Sequence, residues 1–353
     1  MSENTDREYV AVRPEWLHLK SEAPLEPNLR IVDSHHHLWD IPGWRYMLEE
    51  FLADIGGGHS IDASVYVQCY SMFRQGGDRN LRSLGETEFA NGMAAIGASG
   101  RYGKSRICDG IVGYVNLALG ERVTELLEQH VAAAGGRFKG VRHITAWSDD
   151  EAVQPKSQTR GAPRDLMQSK QFLAGMACVE GLGLSFDAFV FHDQLPDIEA
   201  LADSFPGTQI ILNHMGGPVR IGRQAAHPAD ALAHWRAAMG RLSLKPNVYV
   251  KLGGIGMRIN GFGLHDAATP PDSAQLADTW APYVDYTIQT FGPSRCMFES
   301  NFPVDKGTCS YSVLWNAFKR ITRGYSADER QRLFSGTAMS VYRLQPSDKD
   351  NPS

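Results

Sequence analysis

Residues 30–40 read RIVDSHHHLWD, a short β-branched run that passes directly into three histidines. The apolar start predicts a strand over Arg30–Ser34. Side chains alternate along a strand, so Asp33, His35 and His37 are expected on one face and His36 on the other. Two imidazoles two residues apart at the C-terminal end of an inward-facing strand can converge on one metal ion or one polarised substrate atom. The plainer alternative is a pair of hydrogen-bonded histidines at a strand end.

Seven further β-rich runs follow, at Ala63–Cys69, Gly110–Leu117, Phe138–Ile144, Leu184–Phe191, Gln209–His214, Asn247–Leu252 and Arg295–Ser300. Helix-like segments lie between and after them, at Val123–Ala134, Leu166–Glu180, Pro196–Ser204, Ala229–Leu242, Leu276–Thr290 and Tyr311–Ile321. Eight strands alternating with helices imply parallel pairing. No GxGxxG follows the first strand, which argues against an open doubly wound sheet. The expectation is an α/β fold of the (β/α)8 TIM-barrel type, distorted and carrying an N-terminal extension. At 353 residues the chain fits one such barrel. Residues 1–29 are expected to pack on the barrel as the extension, 30–345 to form the catalytic domain, and 346–353 to be a tail. Residues 154–165 read as a loop. The Gly-rich stretch 253–272 follows the seventh strand and is a candidate lid.

Composition narrows the function classes. Apolar residues make up 42% and charged residues 21%, which excludes a disordered or fibrous chain. Lys and Arg number 35 against 40 Asp and Glu, so no basic excess points to nucleic acid. No apolar run is long enough for a membrane span, and the N-terminus does not read as a signal peptide. The five cysteines, Cys69, Cys108, Cys178, Cys296 and Cys309, form no CxxC pair and read as reduced thiols of a cytoplasmic protein. The expected partner is a small-molecule substrate, with a homo-oligomer compatible with the class.

In a parallel barrel all strand C-termini meet at one mouth. His192 follows the fifth strand, His214 closes the sixth, and Glu299 and Asn301 end the eighth. Arg142 and His143 close the fourth, with the inward-facing one undecided. Histidines at the ends of several strands, with a carboxylate at another, are hard to explain as packing alone. Trp39, with Trp44 and Tyr46, is a candidate floor for a ring-shaped substrate, packing being the alternative. Arg142, Arg220 and Arg258 are candidates for binding a substrate carboxylate, with surface placement the alternative, most of all for Arg220. Glu86 and Glu88 open a helix-like stretch, where the helix dipole accounts for acidic residues, the alternative being that one of them reaches the mouth. Cys69 reads as a buried structural thiol.

The runs VDSHHHLWD, FKGVRHI, HDQLPDIEALADSFPGTQIILNHMGGP, PNVYVKLGGIG and RCMFESNFPVDK resemble the amidohydrolase superfamily. The similarity is to its amidohydrolase-2, lactonase-like branch, and it extends from about Ile31 to Tyr342. It implies a distorted (β/α)8 barrel and hydrolysis of a small cyclic ester or a related C–O or C–N bond. It further implies His35, His37 and His192 as ligands of a divalent metal, zinc or manganese, with a metal-free mechanism also open. His214 would then hydrogen-bond substrate or water. The family ends its eighth strand in G-S-D-W-P, whereas this chain has Glu299-Ser300-Asn301-Phe302-Pro303.

Asn cannot take up a proton, so the base must come from elsewhere. Glu299 is expected on the face of Asn301, about 6.6 Å deeper at roughly 3.3 Å per residue. It is a candidate base or ligand, the alternative being an ion pair with a buried cation such as Lys251. His192, His214 and Asp305 are other possible bases, with Asn301 positioning water. A metal-dependent decarboxylase of a muconate-like or aromatic acid and a non-catalytic binding barrel are the alternative functions.

Overall fold

A computed structural model describes residues 9–153 and 162–345. The start of the extension, most of the loop expected over 154–165, and the tail 346–353 lie outside the described residues. Eight parallel strands pair in sequence order: β1 (Arg30–His36), β2 (Ser60–Val67), β3 (Arg106–Gly113), β4 (Phe138–Arg142), β5 (Ser185–Ala188), β6 (Ile210–Leu212), β7 (Val248–Leu252) and β8 (Cys296–Phe298). Past the end of β8 the chain returns to β1. Asn301 N donates to His35 O (2.9 Å) and His37 N to Phe302 O (2.8 Å), which brings the two edge strands together at the mouth.

Around the sheet lie α1 (Leu48–Ile55), α2 (Leu84–Ala98), α3 (Val123–Ala133), α4 (Lys170–Gly181), α5 (Leu195–Ser204), α6 (Pro228–Leu242), α7 (Ser273–Phe291) and α8 (Tyr311–Ile321). Their starts follow from local chemistry. Ser169, Asp272 and Ser310 accept a backbone N–H at their helix N-termini, and Pro228 opens α6.

The alternation of β strands separates two cores. Ile31, Phe186, Ile210, Leu212, Val250 and Phe298 pack outward among the helices with Trp280 and Trp315. Val32, Val65, Val67, Val112, Ile211 and Met297 form a separate cluster inside the barrel. Ala338, Val341 and Tyr342, at the end of the chain, join that inner cluster. Above it Lys251 Nζ lies 2.7 Å from Asp187 Oδ2, which also accepts from Tyr342 Oη (2.9 Å) and Asn213 Nδ2 (3.0 Å). Lys251 therefore belongs to Asp187 and not to Glu299. The reason is register: Met297 pairs with Lys251, which leaves Glu299 above that level.

With Val32 inside, Asp33 turns outward. Its carboxylate accepts from Tyr311 Oη of α8 (3.0 Å) and from Ser300 N (2.8 Å). The expectation that Asp33 shares a face with His35 and His37 fails because β1 shifts register against β2 between Asp33 and His36. His36 does turn to the outside, stacked on Phe51 at 4.1 Å.

The described part of the extension lies across α8 and the loop after β7. Lys319 Nζ donates to Leu25 O (2.7 Å) and Glu26 O (3.0 Å), and Trp16 Nε1 to Ala267 O (3.0 Å). No helix among the described residues is long and apolar enough to cross a membrane.

Candidate active site

The mouth of the barrel is organised around one carboxylate. Glu299 is fully buried, with Oε2 2.6 Å from His35 Nδ1 and Oε1 2.7 Å from His214 Nδ1. Oε1 also accepts from the backbone N of His214 (3.2 Å). The two imidazoles lie side by side, with ring centroids 4.8 Å apart. His35 Nε2 faces His37 Nε2 at 3.2 Å, and His37 Nδ1 donates to Val67 O at 2.7 Å. From β4, Arg142 Nη1 donates to His35 Nε2 (3.2 Å) and Nη2 to the backbone oxygen of Gln68. Trp39 stacks on His37 at 5.7 Å, closing that side of the pair.

Backbone strain and small residues make this cluster possible. His214, Met215 and Asn301 are left-handed, with φ of 53°, 51° and 54°. Such conformations cost on the order of 1–3 kcal/mol each, and they gather where a side chain must be aimed against its strand. The glycines after β7 make room. A Cβ at Gly253 would meet Glu299 Cγ at 2.4 Å, and one at Gly254 would meet His214 Nδ1 at 2.1 Å. The Gly-Gly of KLGGIG is thus the space that Glu299 and His214 occupy.

Burial is the main electrostatic influence on the histidine pair. It pushes His35 and His37 well below the usual imidazole range, and cations add to the effect, Lys251 for His35 and Arg142 for His37. Both rings are therefore neutral, and hydrogen bonding assigns their protons. His37 gives its Nδ1 proton to Val67 O and keeps a lone pair on Nε2. His35 receives Arg142 at Nε2 and so carries its proton on Nδ1, toward Glu299.

The expected site residues divide clearly. His35, His37, His214, Glu299, Arg142 and Trp39 come together. His192 does not join them. Strand β5 ends at Ala188, and the chain turns before residue 192, so strand alternation no longer orients that side chain. His192 Nδ1 accepts from Val219 N (3.1 Å), and its ring packs on His234 of α6 at 5.5 Å. His143 points away from the mouth and packs between Tyr114 and Phe172, at 5.4 and 5.7 Å. Arg258 is exposed on the loop after β7.

Asn301 lies beyond the end of β8, and its left-handed backbone removes it from the Glu299 face. Its Nδ2 donates to Asp305 Oδ1 at 2.9 Å, while Gly256 N donates to Oδ2 at 3.0 Å. Burial pushes the Asp305 carboxyl up to about 7. Glu86 is buried and accepts from Cys69 N, Ser71 N and Tyr66 Oη, pinning the loop after β2. Gln68 was not singled out from sequence. Its side chain is fully buried, its Oε1 has no hydrogen-bond partner among the described residues, and no motif marks it.

A profile of the amidohydrolase family matches residues 32–344. The chain belongs to the amidohydrolase family. It is a hydrolase by that membership. Among its relatives, the uncharacterized protein y4mH of Sinorhizobium fredii is 31% identical over 342 residues, 90% of this chain and 99% of that protein. An L-fucono-1,5-lactonase of Burkholderia multivorans is 27% identical over 332 residues, covering 90% of this amidohydrolase and 97% of the lactonase. A crystal structure of a Burkholderia multivorans amidohydrolase with bound zinc superposes with a TM-score of 0.66 at 25% identity, covering 89% of this chain and 99% of that one.

The donor set of this amidohydrolase suits a divalent ion. The two Nε2 atoms converge at 3.2 Å, that of His37 with a lone pair and that of His35 with its lone pair on the Arg142 guanidinium, a cation already held at this point. That spacing is close to what two imidazoles show when each sits about 2.0–2.1 Å from one zinc. His35 Nδ1 and Glu299 Oε2 are buried without an aligned hydrogen bond despite their 2.6 Å approach. His35, His214 and Glu299 also place ligand atoms within 4.8 Å of one another. His35 and His37 would hold the ion, with Glu299 orienting the first of them as an outer carboxylate.

Proposed function

We propose that this amidohydrolase opens the ring of a small lactone bearing hydroxyl or carboxyl groups. The observation that carries the reading is the Glu299 carboxylate held between His35 and His214. A histidine backed at Nδ1 by a buried carboxylate presents its Nε2 lone pair as a base, and the resulting imidazolium is stabilised from behind. The lactonase-named relatives at 27% identity support the substrate class.

In the proposed reaction His214 Nε2 takes a proton from water, and the hydroxide formed attacks the lactone carbonyl carbon. Arg142 stabilises negative charge on the substrate, the role its inward guanidinium suits. Collapse of the tetrahedral intermediate breaks the ring C–O bond. The departing oxygen takes the proton back from His214, leaving a hydroxy acid. A divalent ion bound by His35 and His37 would supply Lewis-acid polarisation of the carbonyl. Trp39 packs behind His37 and keeps water from that side of the pair.

The test is a panel of sugar and dicarboxylate lactones followed by proton release in weak buffer, with carbon dioxide measured in parallel. Ring opening without carbon dioxide is expected. Carbon dioxide release from carboxylated members would replace this reading with a decarboxylase, and turnover of none would favour a binding barrel.

A further inference from the structure

We infer that Arg142 competes with the metal ion for His35, and so sets the metal affinity of the site. Its Nη1 lies 3.2 Å from His35 Nε2, on the lone pair that a ligated ion would use. One lone pair serves one partner. An ion about 2.1 Å from that nitrogen and a guanidinium nitrogen 3.2 Å from it cannot share the same direction. Charge acts the same way, because a guanidinium beside a divalent cation in a buried site is strongly repelled. Arg142 must therefore turn away before His35 can ligate.

The structure also holds a second seat for the guanidinium. Arg142 already donates to the backbone oxygen of Gln68, and the Gln68 side chain offers Oε1, buried and without a hydrogen bond. In the inferred exchange Arg142 keeps its bond to the Gln68 backbone oxygen and trades His35 for the open Oε1 of the same residue. Arg142 Nε, likewise buried and unpartnered, shows that the guanidinium is not locked on every side. In the proposed exchange the ion gains His35 while Arg142 gains Gln68, and the guanidinium remains beside the substrate.

This inference rests on the metal-ligand part of the proposed function and not on the lactone substrate, so metal affinity is read without turnover. Protein stripped with a chelator is titrated with zinc against a chromophoric competitor, with folding checked by circular dichroism. Arg142→Met is expected to bind zinc about tenfold or more tightly than the native chain, in keeping with removal of a like charge. Arg142→Lys keeps a cation without the planar fork and is expected to move the same way by less; it decides the matter if the Met variant does not fold.

Gln68→Leu removes the second seat. It is expected to weaken zinc binding when Arg142 is present and to have no effect beside Arg142→Met. His35→Asn is expected to abolish the gain. A gain below tenfold in Arg142→Met, a Gln68→Leu effect independent of Arg142, or zinc bound by none of the variants would each overturn the inference.

Discussion

At the scale of single residues, Glu299 has the largest consequence, because one side chain orients two histidines. Replacing it by Gln keeps the shape but puts an amide where two ring N–H groups now point. One imidazole must then turn its lone pair inward, and the charge behind His214 is lost. Glu299→Gln is expected to keep the fold and reduce kcat by about 10²–10³-fold, as outer carboxylates behind catalytic or ligating histidines commonly do. A kcat near the native value would remove the dyad from the mechanism. Asp305 carries a different prediction. Its folded value of about 7 lies above the ordinary 3.8, so between those values the native state holds a proton that the unfolded chain has released. Stability from this group is present at low pH and is lost as pH rises through about 7. Relative to Asp305→Asn, the native chain should lose on the order of 2–4 kcal/mol between about pH 4 and pH 8 in urea unfolding. A parallel pH dependence of the two would show that Asp305 is ionised throughout. Both residues are visible in ESNFPVD, but their partners are not. Which acceptor a carboxylate finds depends on what lies across the barrel, and His214 is 85 residues from Glu299 in the chain.

At the scale of elements, the ends of the strands do the positioning, and they do so by departing from regular strand geometry. The register shift in β1 turns Asp33 out and His35 in. After β5 the chain turns before His192, which takes that histidine to α6 and away from the mouth. After β7, Gly254 has φ of 62° and leaves its Cβ side to His214. Gly254→Ala is therefore expected to destabilise the protein by about 1–3 kcal/mol and to lower kcat, since the added methyl and His214 cannot both keep their places. Urea unfolding read beside kcat checks this, and an Ala variant equal to the native chain in both would show that His214 has room elsewhere. The alternation rule reads strand interiors well and fails at these ends. A bulge or a left-handed residue costs little locally and is chosen by the packing around it.

At the scale of the whole molecule, the barrel interior is layered. An apolar layer capped by the C-terminal residues lies below, the Asp187–Lys251–Tyr342 group sits in the middle, and the histidines with Glu299 lie at the mouth. The middle layer joins β5, β7 and the end of the chain. Lys251→Met would leave Asp187 buried with only neutral partners, and it is expected to destabilise the protein by about 3–5 kcal/mol in chemical unfolding. A loss below about 1 kcal/mol would mean that the hydrogen bonds from Tyr342 and Asn213 hold the layer without help from the ion pair. The burial that makes this layer costly to disturb also keeps His35 neutral, so the support of the fold and the readiness of the site to bind a cation share one cause.

The alternation of strand and helix, the parallel barrel it implies, and the family motifs are local patterns, readable from neighbouring residues without knowing what lies across the barrel. His35, His37, His214, Glu299 and Arg142 were legible for the same reason, since each sits at or just past a strand end inside a motif. Tertiary structure alone decided which side of β4 faces inward, where His192 goes, that Lys251 serves Asp187, and that Glu299 binds two histidines. These outcomes depend on register and on contacts between strands far apart in the chain, where a shift of one residue sends a side chain to the opposite face.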